Sequence, residues 1–563
     1  MAAGWSASRD LPQNGNPFRH PVLRVPVDPR DPADEYDYVI VGAGSAGCAL
    51  AARLTREASR RVLLLEAGGM DRHPMIHVPL GFAFLMKDKS VNWCYRTEPE
   101  SELNYRRIDW PRGKVVGGSS AINGMVYIRG QREDYEAWAA AGNPGWSFAE
   151  LLPYFIRTEH NTRGASELHG TGGGVWVDEV GPHLDATDLF IQAGVSAGLP
   201  HNPDFNGPTQ EGVGRYQVNV RRGMRQTAAT HFLKPALRRA NLHLVTRALV
   251  QGLDIDGQRV TGLRYQRGKE LHAVRARTAV VLCGGTINSP QLLELSGIGQ
   301  PGVLEPLGIR VRHALPGVGE NLQDHLTVNV QQGLRNARTF FEEAAPLALL
   351  GNILRWAVRR EGLLVHPACQ GGAFFRSSAD ATRPDSQIHF TPAAGRTDAR
   401  GNMVTAPGTT ATVCHLRPES RGSVHIRAAQ PDYAPAIRAN YLSSAADRRA
   451  TIDAVRWVRE LFASPVFDHF RDDEIRPGRH CQTDAEVLEF IRREAQSVYH
   501  PVGSCAMGHG EHSVVDHRLR VHGLDGLRVA DASVIPAIIS GNTHALCCVI
   551  GDKAADMLVE DEG

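Results

Sequence analysis

Tyr38-Val39-Ile40-Val41-Gly42-Ala43-Gly44-Ser45-Ala46-Gly47, running on into Cys48-Ala49-Leu50-Ala51-Ala52-Arg53-Leu54, is the stretch that decides the fold. Its unbroken apolar run reads as a parallel strand covered on both faces by helices. The run ends at a G-x-G-x-x-G, and a helix follows. Gly42 permits the tight turn, Gly44 lets the backbone approach a pyrophosphate, and Gly47 lets helix and strand pack closely. Ser45 and Ala46 fall at the helix N-terminus, whose free N–H groups and positive dipole end suit phosphate. Arg61-Val62-Leu63-Leu64-Leu65-Glu66 reads as the second strand. Glu66, followed by Ala67, stands where a ribose hydroxyl needs an acceptor. A lone glycine motif is weak evidence, but strand, turn, helix and acidic strand end in this order make an adenine-dinucleotide unit. The unit does not distinguish FAD from NAD.

With 563 residues the chain has room for roughly two to four domains. A hydrophobic fraction of 42% and a charged fraction of 22% are those of a soluble globular protein. A net charge of +1 argues against nucleic acid as a partner, which calls for a basic excess. The nine cysteines show no C-x-x-C or zinc spacing, so no metal site is expected. Reduced, buried thiols and a cytoplasmic location follow. Residues 1–35 lack the apolar core of a signal peptide and read as an extended arm on the body. No run reaches the roughly 20 apolar residues of a membrane span. The most apolar interval, Ala344 to Val358, is interrupted by Pro346, Gly351, Asn352 and Arg355. An ordinary core or surface helix is the favoured reading. The alternatives are a lid or an interfacial helix, which would bring peripheral contact with the inner membrane.

Downstream, Trp93 lies in an aromatic segment ahead of Trp110-Pro111-Arg112-Gly113-Lys114-Val115-Val116-Gly117-Gly118-Ser119-Ser120-Ala121-Ile122-Asn123-Gly124-Met125. Closely spaced glycines beside small hydroxyl residues suit a backbone passing close to something flat or anionic. Three more blocks stand out: Cys283-Gly284-Gly285-Thr286-Ile287-Asn288-Ser289-Pro290 through Gly299, Tyr499-His500-Pro501-Val502-Gly503-Ser504 through Gly508, and Val529-Ala530-Asp531-Ala532-Ser533 through Gly541-Asn542-Thr543-His544. Together with the opening unit, these blocks resemble the signatures of the glucose-methanol-choline (GMC) flavoprotein oxidoreductases. The resemblance runs from about Tyr36 to Asp556.

The resemblance implies an α/β fold: a discontinuous Rossmann-type FAD-binding domain and an α+β substrate domain whose antiparallel sheet roofs the flavin. The expected boundaries are 1–35 for the arm, 36–333 for the first part of the FAD domain, 334–496 for the substrate domain and 497–563 for the return. The residues themselves support strands at Ser386–Phe390 and Gly422–Ile426, a helix at Ala450–Phe462, and a final helix on Leu546, Val549, Ile550, Ala554 and Met557. Thr278–Leu282, Gly284-Gly285 and Ser289 onward read as another strand, turn and helix. His243–Val250 reads as a strand before a polar turn. By resemblance, FAD is held by the opening glycines with Ser45, Ala46, Glu66 and Ala67, then by Trp93, Arg112, Val116, Gly117, Ser120, Asn123, Gly124, Met125 and Val126. Val250 would meet the adenine, and Asp531, Ala532, Asn542 and Thr543 would close the site. Ile122 occupies the place where some members carry a tethering histidine, which implies non-covalent FAD.

Pro501 fixes the backbone after His500, and an imidazole titrates near working pH, so His500 is a plausible base. By resemblance it takes the hydroxyl proton of an alcohol while Asn542 steadies the oxygen and hydride passes to flavin N5. A protonated His500 would also stabilise anionic reduced flavin. His544, two residues further on, should point elsewhere. Tyr499 and Gln370 are the expected substrate-pocket residues. Pro367–Phe374 is neutral where choline-type members tend to place a carboxylate, and a quaternary ammonium wants an anion or an aromatic cage. A neutral primary alcohol is therefore favoured over choline. A lyase of the hydroxynitrile type and a photodecarboxylase are alternatives, since fold does not fix function. The electron acceptor, oxygen or a quinone-type molecule, is left open by the residues.

Overall fold

The computed structural model describes residues 35–181, 184–397 and 403–562. The arm expected over 1–35 lies outside these residues except for Glu35. Strand β1 (Glu35–Val41) is followed by helix α1 (Ser45–Leu54) and strand β2 (Val62–Glu66). β1 pairs in parallel with β2, Val41 opposite Leu65, and with the strand Glu270–Leu282, Val41 opposite Leu282. Leu242–Thr246 extends the parallel set beyond β2, and Leu527–Val529 pairs in parallel with Glu270–Leu282. Ala248–Asp256 and Arg259–Arg267 complete the sheet in antiparallel fashion. Tyr38, Val39, Ile40, Val62, Leu63 and Leu64 are fully buried, as expected for strands covered on both faces.

Two glycines show why this turn holds. Gly42 has φ +106, and a Cβ there would lie 2.4 Å from the Cys283 carbonyl; a Cβ on Gly47 would lie 1.9 Å from the Gly42 carbonyl. The strand ends at Val41, Glu66, Leu282 and Val529 therefore share one edge, where α/β sheets bind ligands. Helix α2 (Gly285–Leu295) begins at Gly285, four residues before the expected start at Ser289, because the Asp531 carboxylate accepts the Gly285 N–H at 2.8 Å and satisfies that helix end. The single strand expected over His243–Val250 is two, broken at Arg247 with φ +58.

The second sheet is antiparallel, in the order Arg471–Arg476, Leu326–Leu334, Gly408–His415, Ser386–Thr391, Gly371–Phe375, Gly212–Arg215. Gln496–Ser497 also pairs with Leu326–Leu334. The sheet thus draws strands from before residue 334, and the two layers are interleaved along the chain. Alternation gives it two faces. Val328, Val330, Ile388, Phe390, Ala411 and Val413 join one core. Thr327, Asn329, His389, Thr391 and Thr412 turn toward a cavity. Helix α3 (Pro346–Arg359) stands off the sheet, running unbroken through Gly351, Asn352 and Arg355 with Pro346 in its first turn, where proline is tolerated. Helix α4 (Ala445–Ala463) covers the core face with Val455, Val458, Leu461 and Phe462. Helix α5 (His544–Glu560) lies along α1 and is tied to it by Arg53 and Asp556 at 3.1 Å. All nine cysteines are free thiols. Among the described residues, no helix is long and apolar enough to cross a membrane, and no cluster of His, Cys, Asp and Glu is arranged to hold a metal.

Candidate active site

A cavity of about 570 Å³ runs from the carboxyl edge of the first sheet to the polar face of the second. At one end the N-termini of three helices converge: Gly44 and Ser45 of α1, Gly284 and Gly285 of α2, and Thr543 and His544 of α5 all lie on its wall. The α2 end is already capped by Asp531, while α1 and α5 turn the positive ends of their dipoles toward the cavity, which suits an anion. A Cβ added to Gly44 would meet nothing within 4 Å, so the bare backbone faces open space where a pyrophosphate has to come close. Glu66 accepts from the Ala43 N–H at 2.9 Å and the Gly68 N–H at 2.8 Å, while burial pushes its carboxyl up to about 7. Asp531 accepts from Gly285 N–H and Ser289 Oγ, at 2.8 and 2.6 Å. This donor set fits an adenine dinucleotide.

Gly42, Gly44, Ser45, Ala46, Glu66, Ala67, Trp93, Arg112, Ser120, Asn123, Gly124, Met125, Val126, Val250, Asp531, Ala532, Asn542 and Thr543 all line this cavity, as do Tyr499 and His500. Four expected residues do not. Gly47 packs behind the turn. Val116 is fully buried in the main core, and the Gly117 N–H donates to the Ala43 carbonyl. Gln370 is fully buried, its Oε1 accepting from Thr187 Oγ1 at 2.7 Å and its Nε2 bonded to His366 at 2.8 Å. Ala368 and Cys369 line the cavity, whereas Gln370, in the bend before the strand Gly371–Phe375, turns away from it. Ile122 is on the wall, a side chain with no nucleophile to tether a flavin. His544 is also on the wall, but its Nδ1 is bonded to Ser45 Oγ at 2.9 Å, at the α1 end of the cavity.

At the other end His500 is 7% exposed. Burial, then the cost of gathering charge beside His325 and His389 and the positive Arg112, holds it well below its ordinary 6.5, so it is neutral. Its tautomer follows from a chain of hydrogen bonds. His325, whose pKa burial lowers to about 3, places Nε2 at 3.0 Å from the Leu416 carbonyl, which can only accept. The proton of His325 is therefore on Nε2, and its Nδ1 accepts from His500 Nδ1 at 3.1 Å. His500 Nε2 is left with a bare lone pair, which meets Asn542 Nδ2 at 3.0 Å. The Asn542 amide is oriented from the other side, since Gln387 Nε2 donates to its Oδ1 at 3.3 Å. The His500 backbone is pinned as well: its N–H donates at 2.8 Å to Asp324, a buried carboxylate that also accepts from Ser497 and Tyr441. Tyr499 is held at φ +69, with its N–H on Ser497 Oγ and its carbonyl accepting from Arg112 Nη2 at 2.8 Å. A non-glycine residue in this region persists where its surroundings impose it, and such strain collects at functional sites.

Asp324, His325, Gln387 and His389 were not among the residues that motif reasoning selected. No spacing marks the first two. The strand Ser386–Thr391 does mark the others, because alternation puts Gln387 and His389 on one face.

The family's two domain profiles cover most of the chain. The N-terminal GMC oxidoreductase domain matches residues 36–327 and the C-terminal domain residues 418–551. The chain belongs to the GMC oxidoreductase family. With that membership comes FAD as the cofactor of the cavity. The GMC chain is 41% identical to an alcohol dehydrogenase [acceptor] of Pseudomonas putida, over 93% of this chain and 96% of that protein. It is equally 41% identical to an oxygen-dependent choline dehydrogenase of Sinorhizobium fredii, over 93% and 95%. Among solved structures, pyridoxine 4-oxidase from Mesorbium loti superposes with a TM-score of 0.84 at 32% identity, covering 92% of this chain and 98% of that one.

Proposed function

We propose that this GMC oxidoreductase oxidises a neutral primary alcohol to an aldehyde, with His500 as general base and Asn542 as the group that holds the alcohol oxygen. The observation that carries the reading is the approach of His500 Nε2 and Asn542 Nδ2 to 3.0 Å on the cavity wall. The Asn542 N–H donates to the His500 lone pair, and a hydroxyl that enters between them replaces that bond, giving its proton to His500 while its oxygen is held by Asn542. As negative charge grows on that oxygen, the amide N–H stabilises it. Gln387 keeps the amide from turning its oxygen inward, and the Leu416–His325 chain keeps the His500 proton on Nδ1. Bound FAD supplies the two-electron acceptor, and the residues on the wall supply position and electrostatics.

The wall favours a neutral substrate. Among the described residues its only carboxylates are Glu66 and Asp531, both at the helix-N-terminal end and both engaged with backbone N–H groups. Elsewhere the wall carries neutral groups, among them Tyr499, Ala368, Cys369, Asn329, Thr391 and Thr412. Nothing there neutralises a quaternary ammonium. The similarity to choline dehydrogenases keeps choline as the second reading. Steady-state turnover with a panel of primary alcohols and choline, using oxygen or a quinone analogue as acceptor, tests both. A higher kcat/KM for neutral alcohols is expected. Preference for choline would transfer the substrate assignment, and aldehyde formation from none of them would remove the function.

A further inference from the structure

Helix α3 has its polar and apolar faces reversed relative to a helix that packs on a core. Asn352 is its buried residue, donating to the Glu343 carbonyl and carboxylate and accepting from the Leu363 N–H at 3.1 Å. Trp356 Nε1 adds a bond to the Gly223 carbonyl at 3.0 Å. The helix is thus fastened through polar groups, while Leu347, Leu350, Leu354 and Val358, at steps of three and four, form an outward stripe beside Ile353. Leu347 is 88% exposed and Val358 is 80% exposed. Water contact with such a stripe is unfavourable unless something else covers it.

Two observations select what covers it. The first is charge. The helix carries Arg355 and Arg359 and no acid, and Arg222 lies exposed on the hairpin that Trp356 touches. The second is size. At 14 residues the helix is roughly 21 Å long, and its five exposed apolar side chains present roughly 500 Å², short of the ~800 Å² per partner of a stable dimer. That pairing of a narrow apolar face with flanking arginines suits an interfacial helix on an anionic bilayer. Neighbouring elements point the same way. The turn Leu363–Val365 after α3 packs on Pro79–Gly81, which leads into Phe82–Leu85 with Phe84 72% exposed. Phe82 and Met86 line the active-site cavity from there, and Ala368 and Cys369 line it a few residues beyond α3.

We infer that α3 docks the enzyme on an anionic lipid surface, its leucine stripe in the headgroup–acyl boundary and Arg355, Arg359 and Arg222 against lipid phosphates, with the cavity held next to the membrane. The inference does not depend on the substrate. Flotation of the FAD-loaded enzyme with phosphatidylglycerol–phosphatidylethanolamine vesicles, against phosphatidylcholine vesicles, tests it. The wild type should float with the anionic vesicles and be released by salt. The double variant Leu350→Glu/Leu354→Glu should bind about tenfold less or weaker still, with FAD content and turnover on a soluble alcohol and dye acceptor unchanged. Arg355→Gln/Arg359→Gln should lose the preference for anionic lipid. If the glutamate variant loses FAD, Leu347→Ser/Val358→Ser, at the two most exposed positions, replaces it with the same expectation. A wild type that stays with the unbound fraction overturns the inference. So does undiminished binding by the folded variants. Light scattering that shows a dimer dissociating in the variants, without flotation of the wild type, assigns the stripe to a second copy instead.

Discussion

The two ends of the cavity are made in different ways. The cofactor end is backbone: glycine turns and helix N-termini, with its first part supplied by one contiguous segment from Tyr38 to Glu66. The opposite end, where we propose that the alcohol is oxidised, is side chain, with Arg112, Asp324, His325, Gln387, Tyr499, His500 and Asn542 contributed by separate segments. A backbone site tolerates change in side-chain chemistry but no added volume. A side-chain site tolerates modest changes in volume but no change in donor and acceptor pattern.

Substitutions can break this contrast. His500→Ala should lower kcat by about 10²–10⁴, the range for a lost general base, with FAD content unchanged. Asn542→Ala should lower kcat by about 10²–10³, the loss of one donor to developing charge, again in a yellow protein. His325→Ala frees the His500 ring to rotate and change tautomer, at up to roughly 100-fold in rate. His325→Gln, whose amide oxygen can accept the same proton, should recover part of it, which a purely structural role for His325 would not produce. At the cofactor end the signs reverse. Gly47→Ala adds one methyl 1.9 Å from a carbonyl oxygen, and should destabilise by about 1–3 kcal/mol and lower FAD occupancy in a thermal melt with and without added FAD. The smallest effect sharpens the electrostatics. A base must be neutral to act, so the rate rises with pH through its pKa and then levels. Because burial holds His500 well below 6.5, kcat/KM should stay flat as pH falls through 6.5 and decline only in more acidic buffer. A limb centred at or above 6.5 would mean that His500 is more solvated than its surroundings indicate.

The same contrast explains what the sequence revealed. The β1–α1–β2 unit is local, and its strand, turn and helix are each dictated by neighbouring residues, so it was legible with Gly42, Gly44 and Glu66 in their places. His500 and Asn542, which the structure brings to 3.0 Å, were legible as candidates because they sit in blocks with a recognisable pattern. Asp324 and His325 reach His500 across more than 170 residues of chain, and no short-range spacing encodes a contact formed only when two sheets stack. Gln370 lies off the cavity because Thr187 and His366, far from it or out of pattern in the chain, hold its amide in the interior. Helix α3 was seen as an apolar interval, but which side it presents depends on Asn352 finding Glu343 and Leu363, and that is a tertiary event.

The most direct measurement is anaerobic mixing of the yellow enzyme with an excess of a short primary alcohol in the dark, followed by visible absorbance. Bleaching of the oxidised flavin spectrum with one equivalent of aldehyde formed per FAD is the predicted result. A spectrum that stays yellow with every alcohol tried, in a protein shown to be folded and loaded with FAD, would contradict the assignment of His500 and Asn542 to alcohol oxidation.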